Sequence, residues 1–486
     1  MIQRIEMESF IGWILLVPPI AVLLMPWASR AGKWAANTLA VAATGLLLLF
    51  TLRLIPAIGA GLTFDYYGAR FALDSVSLLF LIVVNAVAFA CTIYATAYIG
   101  HLGGRGKFLA LLIIMVSGLN AMLLTRDLFS LYVFLEVASI SSYILVAFGL
   151  EYDGIESSIK YLLLSAVATS MILIGIALVY MATGTLEFDA LKGILAAQGG
   201  NLPAIFLVAA ALFIGGFGLK GALMPFHAWL PDAHPSAPAP ISAMLSGVVI
   251  KVAGIYALAR IFYYVFPGIG RVYGAFLILG TLSMIAGAVL AYFQRDFKRI
   301  LAYSSISQIG YIMIGLGLGN MLGLIGALFH IFNHALFKSL LFLNSGAVQY
   351  RLGTRDIEEM GGLENRMPVT STTSIFGTLS IAGVPPFNGF FSKLFIILGA
   401  LAAGRTTIAV LAILVSIFTL GYFLMIQRKV FFGKLSEKWQ DIREAPLAMS
   451  CAMVLLAAAC LLSGLFFQSV TRGIVEPAAL ILLGGK

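Results

Sequence analysis

Residues 203–231 read PAIFLVAAALFIGGFGLKGALMPFHAWLP. The stretch begins as an apolar run of the length that crosses a bilayer, about 20 residues. It then meets Gly215-Gly216, Lys220, Pro225 and Pro231. Proline lacks a backbone donor and clashes with the preceding turn, so the helix must break. Backbone groups freed inside a membrane are tolerated only within protein or beside water. A second stretch, 369–399, repeats the pattern with Gly383 and Pro385-Pro386 ahead of Lys393. Two broken, lysine-bearing helices point to a polytopic membrane protein with a wet interior.

Composition agrees. Hydrophobic residues make up 61% of the 486 and charged residues 10%, with a mean hydropathy of +1.02. A soluble surface needs roughly a quarter of its residues charged. Collagen, disorder and a secreted disulfide scaffold are excluded. Cys91, Cys451 and Cys460 lie in apolar runs without a C-x-x-C pair, so neither an iron–sulfur cluster nor a zinc site is expected. The net charge of +9 is spread singly between apolar runs, which speaks against nucleic acid. The run from Phe10 to Trp27 has no small-residue cleavage site after it and reads as a retained helix.

Fourteen spans are expected, near 9–27, 36–55, 75–98, 108–124, 127–149, 158–182, 203–224, 240–265, 272–293, 300–318, 322–349, 369–399, 407–431 and 446–468. The breaks fall in the seventh and twelfth, five helices apart. That spacing suggests two five-helix repeats, each with a discontinuous helix. An odd helix number starts the second repeat on the opposite face. The expected organisation is residues 1–107 (helices 1–3), 108–265 and 272–431 (the repeats), and 446–486 (last helix and tail). Loops on the side away from the termini carry 16 Lys and Arg against 10 on the other. By the positive-inside rule that side is cytoplasmic and both termini lie outside.

Charges at mid-membrane depth cost roughly 2.5–3.5 kcal/mol each on insertion scales. Glu136, Lys220, Lys251, Lys338 and Lys393 are read at such depths, with His330 and His334. All four intramembrane cations in this reading are lysine. Buried lysine can release its proton, whereas guanidinium stays charged. His330, His334 and Lys338 recur every four residues, which lines one helix face over about 12 Å. Structural ion pairing within a bundle is the alternative; three titratable groups in register favour a wet path. Glu136 needs a partner, and Lys220 is the choice. His227 and His234, beside Asp232, lie in the loop after the first break, where they serve as a cap or as proton entry. Gly216-Phe-Gly-Leu-Lys-Gly221 matches G-x-G-x-x-G, but no strand precedes it, so it is no nucleotide site.

Five runs carry a resemblance: LYVFLEVASISSY (131–143), KGALMPFHAWLPDAHPSAPAPISAMLSG (220–247), AYSSISQIGY (302–311), FHIFNHALFKSLLFLNSGAV (329–348) and GVPPFNGFFSK (383–393). Together they resemble the antiporter-like subunits shared by respiratory complex I, Mrp cation/proton antiporters and membrane-bound hydrogenases, over about residues 75–431. The resemblance implies an all-α, fourteen-helix subunit with two inverted five-helix repeats and a hydrated line of charges at the midplane. It implies Glu136 and Lys220 as the pair of the first half and Lys251 as the bridging lysine. His330, His334 and Lys338 would form the central relay and Lys393 the terminal lysine. Only about eighteen residues follow the last helix, so the chain resembles the shorter types. The M-type complex I subunit has glutamate at the second break. Lys393 fits the Mrp D type or the hydrogenase relatives better.

The leading expectation is an ion-translocating subunit of a multi-subunit complex in a prokaryotic inner membrane, beside homologous subunits. It would move protons, or exchange them for sodium, with no cofactor, metal or redox site of its own. The alternatives are an autonomous cation or solute transporter and a quinone-binding redox subunit. The last is poorly supported, because His330 and His334 on one helix face cannot supply opposite axial ligands to a haem.

Overall fold

A computed structural model describes residues 2–59, 61–66, 69–197, 203–267 and 269–484. Twelve of its helices are long and apolar enough to cross a membrane, from Met7–Ala31 to Leu447–Leu465. Two shorter apolar helices, Ala204–Lys220 and Asn388–Ala402, belong to the broken stretches. One antiparallel hairpin, Leu62–Tyr66 with Ala69–Leu73, lies between the second and third spans. No strand was expected there, since five-residue strands escape a search for twenty-residue runs.

Several helix starts follow from local chemistry. Asp74, Asp127, Asp296 and Asn320 each accept a hydrogen bond from the backbone N–H three residues on. Such caps satisfy donors that the first turn leaves without partners. Burial sorts the helices into layers. Ala239–Val265 and Met321–Leu352 are buried throughout their apolar windows, and Phe297–Gly317 nearly so. The first two helices bury only a third of theirs and form the rim. Helices apolar all round belong either inside a bundle or in lipid, and here both cases occur.

The two broken stretches end alike. Ala204–Lys220 stops with Ala222 in the left-handed region (φ 54°); Ala222 N–H bonds Leu219 O and Leu223 N–H bonds Gly218 O. Pro368–Ala382 stops with Gly383 (φ 79°); Gly383 N–H bonds Ser380 O and Val384 N–H bonds Leu379 O. Both are Schellman caps, which absorb orphan carbonyls at a helix end. Trp229 Nε1 donates a second bond to Leu219 O, at 2.9 Å. Gly254 packs so closely on Gly221 that a Cβ there would lie 2.5 Å from Gly221 Cα. This contact holds the Ala239–Val265 span against the first break. That span is not a uniform α-helix: Leu245–Val249, Lys251–Tyr256 and Arg260–Val265 are π-helical.

One expectation needs correction. The buried cations of the spans are not all lysine. Arg260, counted with the loop charges although it falls within the expected 240–265 span, lies inside Ala239–Val265 with no exposed surface. It donates to both oxygens of Asp74, at 2.7 and 2.9 Å, and Arg126 adds a third bond at 2.9 Å. Lys298, also read as loop charge, is 1% exposed in the first turn of Phe297–Gly317. Run length already placed Arg260 within a span; loop charge could not reveal Lys298, because burial of a helix end depends on what packs over it.

Candidate functional site

The first cluster sits behind the first break. Lys220 is the last residue of Ala204–Lys220, and its ammonium lies 3.0 Å from Glu136 Oε1. It also donates to Ser139 Oγ at 2.9 Å and the Tyr143 hydroxyl at 3.2 Å. Glu136, Ser139 and Tyr143 stand at i, i+3 and i+7 on Leu128–Val146, so one helix face presents all three. Thr169 donates a further bond to Glu136 at 3.0 Å. Lys220 is buried, but the Glu136 side chain is 26% exposed. It lies at mid-helix between the exposed Val133, Val137 and Ile140, at the bundle's lateral edge rather than its centre.

Lys251, Lys338 and Lys393 are buried, and among the described residues none is ion-paired to a carboxylate. Each is held by backbone carbonyl oxygen. Lys251 bonds Ser246 O within the π-helical stretch, where the register shift re-aims carbonyls. Lys338 bonds Leu301 O at 2.7 Å and the Ser304 hydroxyl. Lys393 bonds Ile381 O at 2.8 Å, Ala382 O at 3.4 Å and Ser416 Oγ at 3.1 Å. Those carbonyls end Pro368–Ala382, where the helix dipole also favours a cation. The Tyr311 ring centroid lies 4.9 Å from the Lys393 ammonium.

His330 and His334 are fully buried on Met321–Leu352, the helix that also carries Lys338. Their ring centroids are 6.2 Å apart. His330 Nδ1 is 2.9 Å from Ser392 Oγ, and Nε2 is 3.1 Å from Gln308 Oε1. A hydroxyl can donate or accept, and an amide can present either end. The shell therefore suits either charge state of His330. Both ring nitrogens of His334 lack a partner among the described residues, an unusual state for a buried imidazole.

Comparison with known proteins identifies the family of the chain. The model of the NADH:quinone oxidoreductase/Mrp antiporter transmembrane family matches residues 125–419. This chain belongs to that family. NADH-quinone oxidoreductase subunit N of Desulforudis audaxviator is 33% identical over 85% of each chain. The D-type component of the Na(+)/H(+) antiporter of Alkalihalophilus pseudofirmus is 36% identical over 76% of this chain and 74% of its own length. The A-type component of the same organism's antiporter is longer: the chain spans 59% of its length, at 32% identity. Among solved structures, one chain of the Mrp complex from Dietzia sp. superposes with a TM-score of 0.90, at 27% identity over 98% of this chain and 97% of that one. The protein is an integral membrane subunit of the antiporter-like type.

In this antiporter-family protein the three residues read after the first break part company. His227 is half-buried, 3.3 Å from Pro225 O. Asp232 faces solvent, with Lys160 at 3.3 Å and Arg299 at 3.5 Å. It lines a polar cavity of about 250 Å³ with Glu156 and Asp296. His234 is not in a loop. It lies in the short helix Leu230–Ser236, fully buried, with both nitrogens lacking partners among the described residues. Lys298, missed by the sequence reading, donates to Ala237 O at 2.9 Å and lines a second cavity of about 120 Å³ with Glu151 and Arg355. The serines and tyrosines that hold the lysines were also missed. Ser139 and Tyr143 carried a signal, since they share the helical face of Glu136. Ser304 and Ser416, which hold Lys338 and Lys393, did not, because those lysines come from other helices.

Proposed function

We propose that the chain is a proton-translocating subunit of a multi-subunit membrane complex, acting through Glu136, Lys220, Lys251, His330, His334, Lys338 and Lys393. The observation that carries this reading is the three buried lysines held by neutral oxygens alone. A permanently charged, unpaired buried cation is very unfavourable, so groups of this kind change charge state or attract water. Neighbouring charges in a dry interior interact strongly, so a proton gained at one member repels the charge on the next. Contact with Glu136 stabilises the Lys220 ammonium; separation of the pair removes that support and sends a proton on towards Lys251. Sodium is the counter-ion in the antiporter form of this reading.

Two five-helix repeats, residues 108–265 and 272–431, flanked by 1–107 and 446–486, are part of the proposal. Two internal likenesses support them. Both breaks carry the same helix cap. The bridges Asp127–Glu187 and Asp296–Asp356 each join a capping aspartate to a partner sixty residues on. We place Asp232 and Asp296 on the cytoplasmic side of a prokaryotic inner membrane and both termini outside, from the Lys and Arg count. Entry then runs from the polar cavities through Lys298 and His234 to Lys338, with His227 beside it.

The test uses the assembled complex in sealed vesicles with a pH-sensitive dye. Lys338→Ala should abolish proton movement while assembly, read by co-purification, is kept. Proton movement at the parent rate would overturn the reading.

A further inference from the structure

Away from the lysine row, a cavity of about 690 Å³ opens where three helix ends meet. That volume falls within the range of small-molecule sites, roughly 300–1,000 Å³. Its inner wall is apolar and includes Val22, Met25 and Pro26. Its mouth carries Lys33, Arg105 and Lys107. Among the described residues none of these cations is ion-paired to a carboxylate. Arg105 is fixed in place, donating to Asn37 Oδ1 at 3.1 Å and to Thr96 O at 2.5 Å.

Two helices also begin at this mouth, Lys33–Arg53 and Arg105–Leu124, both lining the cavity with their first residues. Gly32 and Gly104 at their N-caps offer no side-chain acceptor, so the first-turn N–H groups lack that cap. Helix starts favour anions, and phosphate above all. The cations and the helix starts thus call for negative charge, while the wall behind them calls for hydrocarbon. A free phosphate would leave the wall empty. A zwitterionic lipid would bring its own cation among three others. An apolar helix of a neighbouring protein would leave the cations unmatched.

We propose that this cavity binds one anionic phospholipid. Its phosphate sits between Lys33, Lys107 and the two helix starts, and an acyl chain runs along Val22, Met25 and Pro26. Basic pockets between membrane helices take anionic headgroups by this chemistry. The site is independent of the proton relay.

The experiment is native mass spectrometry of the full chain in neutral detergent. Phosphatidylglycerol, phosphatidylcholine of the same chains and inorganic phosphate are added separately. Phosphatidylglycerol should be retained at least about fivefold over phosphatidylcholine, the scale of one lysine at a charged surface. Lys33→Gln with Lys107→Gln should bring it down to the phosphatidylcholine level. Lys33→Arg with Lys107→Arg should keep it, and monodisperse elution controls for folding. Ala110→Trp, which fills the wall with the cations intact, should lower retention of phosphatidylglycerol. Equal retention of both lipids by the parent, or an unchanged preference in the glutamine variant, would overturn the site. Displacement of phosphatidylglycerol by equimolar phosphate would overturn the lipid assignment. So would a crosslink from cysteine at Ala110 to another protein of the assembled complex.

Discussion

His330 Nδ1 lies 2.9 Å from the hydroxyl of Ser392, so the buried helix Met321–Leu352 meets the second broken stretch one residue before Lys393. The same hydroxyl donates to Gly389 O at 3.1 Å, and Lys393 follows Ser392 on the same helix. Ser392→Ala should slow proton movement about five- to tenfold, the scale of one buried hydrogen bond near 1 kcal/mol. Ser392→Thr keeps the hydroxyl and should stay near the parent rate. If alanine matches the parent in sealed vesicles, protons reach Lys393 by another way.

Glu136→Gln and Lys220→Ala should each reduce coupled ion movement by about a hundredfold, the scale of a lost proton-transfer group. Assembly should survive, because Lys220 retains Ser139 and Tyr143 in the glutamine variant. Flux measurement alongside co-purification checks both points. A parent-like rate in either variant makes the pair structural.

Lys393→Arg separates titration from charge. Arginine keeps the positive charge but does not deprotonate in proteins. If Lys393 gives up a proton, arginine should be nearly as damaging as alanine. Rescue by arginine, read on the assembled complex, would assign Lys393 to charge balance and move the proton exit elsewhere.

Asp74 makes a stability prediction with a pH signature. Burial alone would raise its carboxyl, but Arg260 and Arg126 outweigh burial and hold it well below the usual carboxylate range. A lowered folded value stabilises above the unfolded carboxylate value, near 4, and is lost as pH falls below it. Asp74→Asn should therefore destabilise by about 3–5 kcal/mol at neutral pH, the scale of a broken buried pair. The melting difference from the parent should hold from pH 8 to about pH 5 and shrink below about pH 4. A gap that is constant down to pH 3 would rule out the charged pair as its source.

Much of this protein is written in local pattern. Membrane insertion, the helical class and the two breaks follow from hydrophobic run length and proline position, which act through neighbouring residues only. The register of His330, His334 and Lys338 on one face is a property of a single helix. What packs across helices was not legible. The sequence placed Glu136 at mid-membrane depth, but only packing decided that it reaches the lateral edge. Lys298 looked like a loop charge until other helices covered it, and the pairing of Arg260 with Asp74 joins residues 186 apart in the chain. Lys220 could be read beside a break, yet its contact with Glu136 bridges two helices and 84 residues of chain. The partners of Lys251, Lys338 and Lys393 are mostly backbone carbonyls, which every residue carries and no residue type announces. Depth in the membrane is set along the chain by hydropathy. Lateral position and hydrogen-bond partners are set by which helix faces meet, and only the tertiary structure decided those.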